Sequence, residues 1–235
     1  MIGEEFFGQI PAGFLTSRSR VVVKFKTKYS EGAVYEVDDV LHLIVDGSSQ
    51  SAIVPGSVDL QSQYLKEVFQ VVKSAAKNSD TTVVHLGVGG GSLAKAVLKL
   101  LPNVRQVGVD IDGELIEIAR QHLELPRGKE FKVRIGDALL ELKNMRDEFA
   151  DVVFRDVFLG NNTPLHLIDD SFYNEVKRVL KPGGVFVANI IDSKRSRKIV
   201  NAQISTARKI FNTEPRIWVD NDKNDVVNFL LCVTK

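Results

Sequence analysis

From Ser57 onward two hydrophobic rhythms alternate along the chain. Short strand-like runs (TVVHLG, VRQVGVD, EFKVRIG, ADVVFRD, VFVANI) mark strands, with TVVHLG reading as a buried one. Between them lie stretches with apolar residues three and four apart: QYLKEVFQVVKSAAK, GSLAKAVLKLL, DGELIEIARQHL, DALLELKN and DSFYNEVKRVL. That spacing predicts amphipathic helices. Ser57 or Asp59 is a plausible cap for the first, where Leu65, Phe69, Val72 and Ala76 share a face. KPGG stops the fifth, and a further helix runs through Val200, Ile204, Ala207 and Phe211. PRIWV and VVNFLLCVT close the chain with only a loop between them, which predicts an antiparallel pair. Alternation of this kind predicts an α/β fold with a mostly parallel sheet covered by helices on both faces. Ligands of such sheets sit beyond the carboxyl ends of the strands.

Residues 1–56 follow a different rule. RVVVKF, AVYEV and LHLIV are short, Val-rich and alternating, with turn signals at SEG and VDGSS. A small antiparallel hairpin or meander is expected there. It needs support from the main domain or a second subunit, because an isolated hairpin is marginal in water. The division is therefore a β-hairpin region, 1–56, and a main domain, 57–235.

Composition narrows this picture only a little. Of 235 residues 44% are hydrophobic and 26% charged, and the net charge is +1. That balance gives no electrostatic case for nucleic acid or a membrane as a partner. No stretch approaches the ~18 apolar residues of a membrane span. The lone Cys232 excludes an intramolecular disulfide and points weakly to a reducing cytoplasm.

The candidate chemistry lies at the strand ends. Gly87, Gly89, Gly90 and Gly91 follow the first main-domain strand and open a helix, the context in which a glycine-rich turn holds a nucleotide. Asp110 ends the second strand, where an acid accepts hydrogen bonds from ribose hydroxyls. Asp112 suits a helix start. Asp137 follows the third strand and can cap a helix, meet an adenine amino group, or both. Asp156 ends the fourth strand, where a carboxylate can orient or deprotonate an amine. The segment VFLGNNTPLH after it reads as a loop able to cover a site. His85 falls inside a strand and reads as a satisfied core histidine. His42, His122 and His166 share no metal-like spacing with it, so no metal site is expected. The basic run Lys194, Arg195, Arg197 and Lys198 reads as a solvated helix start.

ADVVFRD followed by FYNEVKRVLKPGGVFVANI resembles the class I S-adenosylmethionine-dependent methyltransferase fold. The resemblance implies a Rossmann-like seven-stranded sheet of order 3-2-1-4-5-7-6, strand 7 antiparallel. Within that fold the chain resembles the spermidine synthase family of polyamine aminopropyltransferases, in its short bacterial branch. LIVDGSSQS places Gln50 at a family glutamine, and QYLKEV places Tyr64 at a substrate-side tyrosine. LGVGGGS matches the glycine loop, VDID gives Asp110 the ribose role, and GDA gives Asp137 the adenine role. DVVFRDVF gives Asp156 the role of the first catalytic aspartate.

Three positions depart from the family pattern. Gly90 and Leu159 stand where it has aspartates, and Leu65 replaces a glutamine. A loop aspartate would repel the carboxylate of ordinary S-adenosylmethionine. At ~4 Å and an effective dielectric near 20 that repulsion is on the order of 4 kcal/mol. Gly90 removes it, while Leu159 offers no anchor for a diamine's second ammonium. The resemblance implies aminopropyl transfer from decarboxylated S-adenosylmethionine to a small amine acceptor. Methyl transfer from S-adenosylmethionine is one alternative, and a non-catalytic nucleoside-binding or scaffold protein is another. The donor is a co-substrate in either reaction, and a cytoplasmic homodimer is the expected assembly.

Overall fold

The computed structural model describes residues 19–76, 80–129, 131–160 and 162–235. Four strands come first: β1 (Ser19–Lys26), β2 (Glu31–Val37), β3 (Val40–Val45) and β4 (Ser48–Ile53). They form an antiparallel meander in chain order. Its last strand, SSQSAI, starts within the expected VDGSS turn and is not among the expected strands. Alternation still operates there: Ser51 and Ile53 are buried, and their neighbours less so.

The main domain contributes α1 (Gln63–Ala75), β5 (Thr82–Leu86), α2 (Ser92–Leu100), β6 (Arg105–Asp110) and α3 (Gly113–His122). It continues with β7 (Phe131–Ile135), α4 (Ala138–Lys143), β8 (Ala150–Arg155), α5 (Asp170–Val179), β9 (Leu180–Ser193), α6 (Lys198–Phe211), β10 (Arg216–Val219) and β11 (Val226–Thr234). Its seven strands lie in the order β7-β6-β5-β8-β9-β11-β10. Counted from β5, this is the expected 3-2-1-4-5-7-6, with β11 antiparallel to β9. Two local readings change. α1 begins after Ser62, and neither Ser57 nor Asp59 caps it. The Ser57 hydroxyl instead accepts the Asp59 amide at 3.0 Å, making a turn. KPGG does not lie between helix and strand but bulges from β9: Ala150 pairs with Leu180, Val152 with Val185.

Both faces of the central strands β5 and β8 are buried, which explains their apolar runs, while the edge strand β7 is largely exposed. On one face Val84, Leu86 and Val153 pack with residues of α4, α5 and α6. On the other Val83, Val152 and Phe154 pack with α1 and α2. A third cluster joins Val34, Leu43, Val45 and Ile53 of the N-terminal sheet to Leu115, Ile116 and Ala119 of α3. Side-chain contacts fasten the same junction. Asp112 caps α3 by accepting the Leu115 amide at 3.0 Å. Its second oxygen accepts the hydroxyls of Thr27 at 2.5 Å and Ser30 at 2.8 Å. Glu124 accepts the Gly56 amide at 3.1 Å and pairs with the buried Lys95. The N-terminal sheet thereby forms one wall over the carboxyl edge of the large sheet.

Candidate active site

Two adjoining cavities open where the carboxyl edge meets that wall. The inner one, about 50 Å³, is lined by Gln50, Ser51, Tyr64, His85, Ser92 and Asp156 among others. The outer one, about 170 Å³, runs past Asp110, Asp137 and the segment Val157–Leu167. Gln50, Gly87, Gly89 and Asp156 line both.

The glycine loop owes its composition to packing and to access. A Cβ on Gly87 would lie 2.2 Å from the Asp156 carbonyl oxygen, so only glycine lets β5 and β8 converge there. Gly89, at φ +51°, has nothing within 4 Å of where a Cβ would be. That is the open backbone a ligand can approach. Gly91 precedes α2 at φ +75°. Gly90 lines neither cavity and faces Ser51, whose Cβ and Oγ would be 2.6 Å from an added Cβ. A side chain at position 90 would thus clash. The N-terminal wall fills the space that it would need.

Asp110 sits beneath this loop. One carboxylate oxygen accepts the amides of Val88 at 2.9 Å and Gly89 at 3.3 Å, and the other accepts the Asp112 amide at 3.0 Å. Burial pushes its pKa up, and the three backbone donors oppose that rise. A carboxylate has about four acceptor positions, so one is left for a ligand hydroxyl. Asp137 does two jobs. One oxygen caps α4 through the amides of Leu139 and Leu140, both at 3.0 Å. The other meets Nε2 of His166 at 2.8 Å. His166 belongs to the covering segment, a partner that spacing alone did not reveal.

Asp156 lies at the junction of the cavities. One oxygen accepts the Tyr64 hydroxyl at 3.1 Å, and the other accepts the amide nitrogen of Asn189 at 2.8 Å. Tyr64 arrives there because Leu65, Val68 and Val72 bury the adjoining face of α1. Burial raises the Asp156 pKa, while the bonds from Asn189 and Tyr64 hold it down. The Tyr64 hydroxyl is pushed well above its ordinary range, by burial first and then by the neighbouring carboxylate. A raised carboxylate pKa suits a group that must accept a proton. His85 is buried, with Nε2 2.9 Å from Oε1 of Gln106. Burial lowers its pKa to about 4, so it is a neutral core histidine at the cavity floor.

On the other face of β8 the buried Arg155 reaches the far end of the covering segment. It donates to the Leu167 carbonyl at 2.8 Å and to Oε1 of Gln203 at 2.7 Å. The rings of Phe172 and Phe186 lie 5.8 and 6.0 Å from its guanidinium. Of the residues singled out from sequence, the structure brings Gln50, Tyr64, Gly87, Gly89, Gly91, Asp110, Asp137 and Asp156 to these cavities. Asn189, Arg155, His166 and Ser51 are the contributors that sequence reasoning passed over. Among the described residues no cluster of three or more His, Cys, Asp or Glu side chains could hold a metal. No described helix is long and apolar enough to cross a membrane.

A sequence model of the methyltransferase domain matches residues 77–227. The chain belongs to that family. Within it the chain is spermidine-synthase-like. It is similar to the polyamine aminopropyltransferase of Neisseria meningitidis serogroup A, at 34% identity over 108 residues. That match covers 46% of this chain and 41% of the Neisseria protein, so it spans less than half of that relative. The polyamine aminopropyltransferase of Prochlorococcus marinus strain MIT 9312 is 25% identical over 205 residues, 84% of this chain and 70% of its own. Among solved structures, that of a probable spermidine synthase from Corynebacterium glutamicum superposes with a TM-score of 0.80 at 25% identity. It covers 90% of this chain and 79% of the other.

Proposed function

We propose that the chain is a transferase moving an aminopropyl group from decarboxylated S-adenosylmethionine to a small amine. The observation that carries this reading is the Tyr64–Asp156–Asn189 cluster where the two cavities meet. Asp110 and Asp137 hold the nucleoside, with Gly89 giving backbone access and Gln50 lining the passage inward. The donor supplies an electrophilic carbon next to a sulfonium. Among the described residues that line the inner cavity, Asp156 is the only acidic one and none is Lys or Arg. A tail bearing one ammonium complements that lining. A tail with a carboxylate adds a second negative charge beside Asp156 with no cation to meet it.

An acceptor amine is protonated at neutral pH, with a pKa of roughly 10. Asp156, raised by burial, takes that proton, and Tyr64 and Asn189 fix the carboxylate so that the nitrogen lone pair points in line. The lone pair forms the new C–N bond as the C–S bond breaks, and the electron pair leaves with sulfur as a neutral thioether. The proton passes from Asp156 to solvent. With this reading go a cytoplasmic reaction and a homodimer, as the family resemblance implies.

A second reading is methyl transfer from S-adenosylmethionine, favoured by the methyltransferase-domain match. Thermal stabilisation by decarboxylated S-adenosylmethionine, S-adenosylmethionine and methylthioadenosine, measured in parallel, separates the two. A ligand at 100 times its Kd adds roughly 2.7 kcal/mol. The decarboxylated donor and the thioether are expected to stabilise most. Preference for the carboxylated donor would favour methyl transfer.

A further inference from the structure

The outer cavity is lined by more carboxylates than Asp156, so where their oxygens point decides what an acceptor meets. Asp110 is taken up by three backbone amides. Asp112 is taken up by its helix cap and two hydroxyls, and Asp137 by its cap and His166. Asp46 sits on the exposed β3–β4 turn and accepts the Glu31 amide at 3.1 Å. The segment that follows Asp156 brings no acid at all. It faces the cavity with Val157, Phe158, Leu159 and Pro164. Leu159 is 58% exposed and lines this cleft.

An ammonium that reaches Asp156 is well matched. A second ammonium a few carbons away comes against Phe158 and Leu159, loses water and gains no partner, which is costly. An uncharged hydrocarbon in the same place covers Leu159 instead. We propose that the acceptor is a primary amine with an uncharged, apolar body, received by Phe158 and Leu159, and not a diamine. This rests on the transferase reading above.

The test compares n-pentylamine with 1,4-diaminobutane on the full chain. Thioether release with decarboxylated S-adenosylmethionine gives kcat/KM for each. Calorimetry on the complex with methylthioadenosine gives the binding order independently of turnover. The monoamine is expected to lead by at least about tenfold in both. Leu159→Asp is expected to reverse the order while keeping methylthioadenosine affinity, which reports that the variant is folded. A wild-type preference for the diamine, or an order that Leu159→Asp leaves unmoved, overturns the proposal. If the monoamine binds tenfold tighter and no amine yields thioether, the acceptor preference stands and the transferase reading fails.

Discussion

Asp137 and Asp156, two carboxylates of the same cleft, are held in different ways. Asp137, in the outer cavity, is partly exposed and already satisfied, by a helix cap with one oxygen and His166 with the other. Asp156, where the cavities meet, is deep, its pKa raised by burial and held down by the bonds from Asn189 and Tyr64 and the charge of Arg155. The first arrangement gives an acid fixed in place, suited to recognition. The second gives an acid whose pKa is raised by burial, which suits accepting a proton. Residue type alone does not separate these roles. The number of donors and the depth do.

The largest test of that contrast is Asp156→Asn. Turnover should fall by at least about 100-fold, with methylthioadenosine affinity changing no more than about threefold. Asn189→Leu removes a donor that favours the ionised carboxylate, so Asp156 should rise further. The acidic limb of the kcat/KM profile should then move to higher pH. A limb that stays put would mean that another group is titrating.

Depth in the inner cavity also shows in His85. Its folded pKa is about 4, against an ordinary 6.5. Between those values the unfolded chain binds the extra proton, so stability is lost as pH falls through this window. The loss is on the order of 3 kcal/mol. Urea unfolding at roughly pH 7 and pH 4.5 should show it, and His85→Gln should lack it.

Gly90→Asp should be destabilising by about 1–3 kcal/mol, because Ser51 occupies the space. Calorimetric melting reads this, and pairing it with Ser51→Gly should restore part of the loss. A tolerated Gly90→Asp would return the charge argument to first place. The smallest effect is expected at Asp137. His166→Gln leaves Asp137 as a cap and should alter methylthioadenosine affinity by no more than a few fold, read by calorimetry.

Periodicity made most of the large sheet legible, since its central strands β5 and β8 are buried apolar runs. The strand-end aspartates were legible because the fold aims them all at one edge. β4 was not, because its serines carry no β signal and only their alternating burial against α2 and α3 makes them a strand. Asn189 left a trace, a polar residue inside VFVANI, and Arg155 left another inside VVFRD. A polar residue in the middle of a buried strand demands a partner. The partners, Asp156 for one and Leu167 with Gln203 for the other, come from distant segments that no local pattern connects. Gly90 shows the limit from the other direction. Its neighbour Ser51 is 39 positions away, 90 minus 51.

Asp112 bears on the order in which this architecture can assemble. Its contact with the Leu115 amide spans three residues, whereas those with Ser30 and Thr27 span 82 and 85. Closing a short loop has a lower entropic cost than closing a long one. The helix cap can therefore set before the N-terminal turn arrives. Docking of the sheet then completes a carboxylate that the cap has already oriented. A side chain recruited to start a helix becomes the latch for the wall, so local folding prepares the long-range step that encloses the cavity.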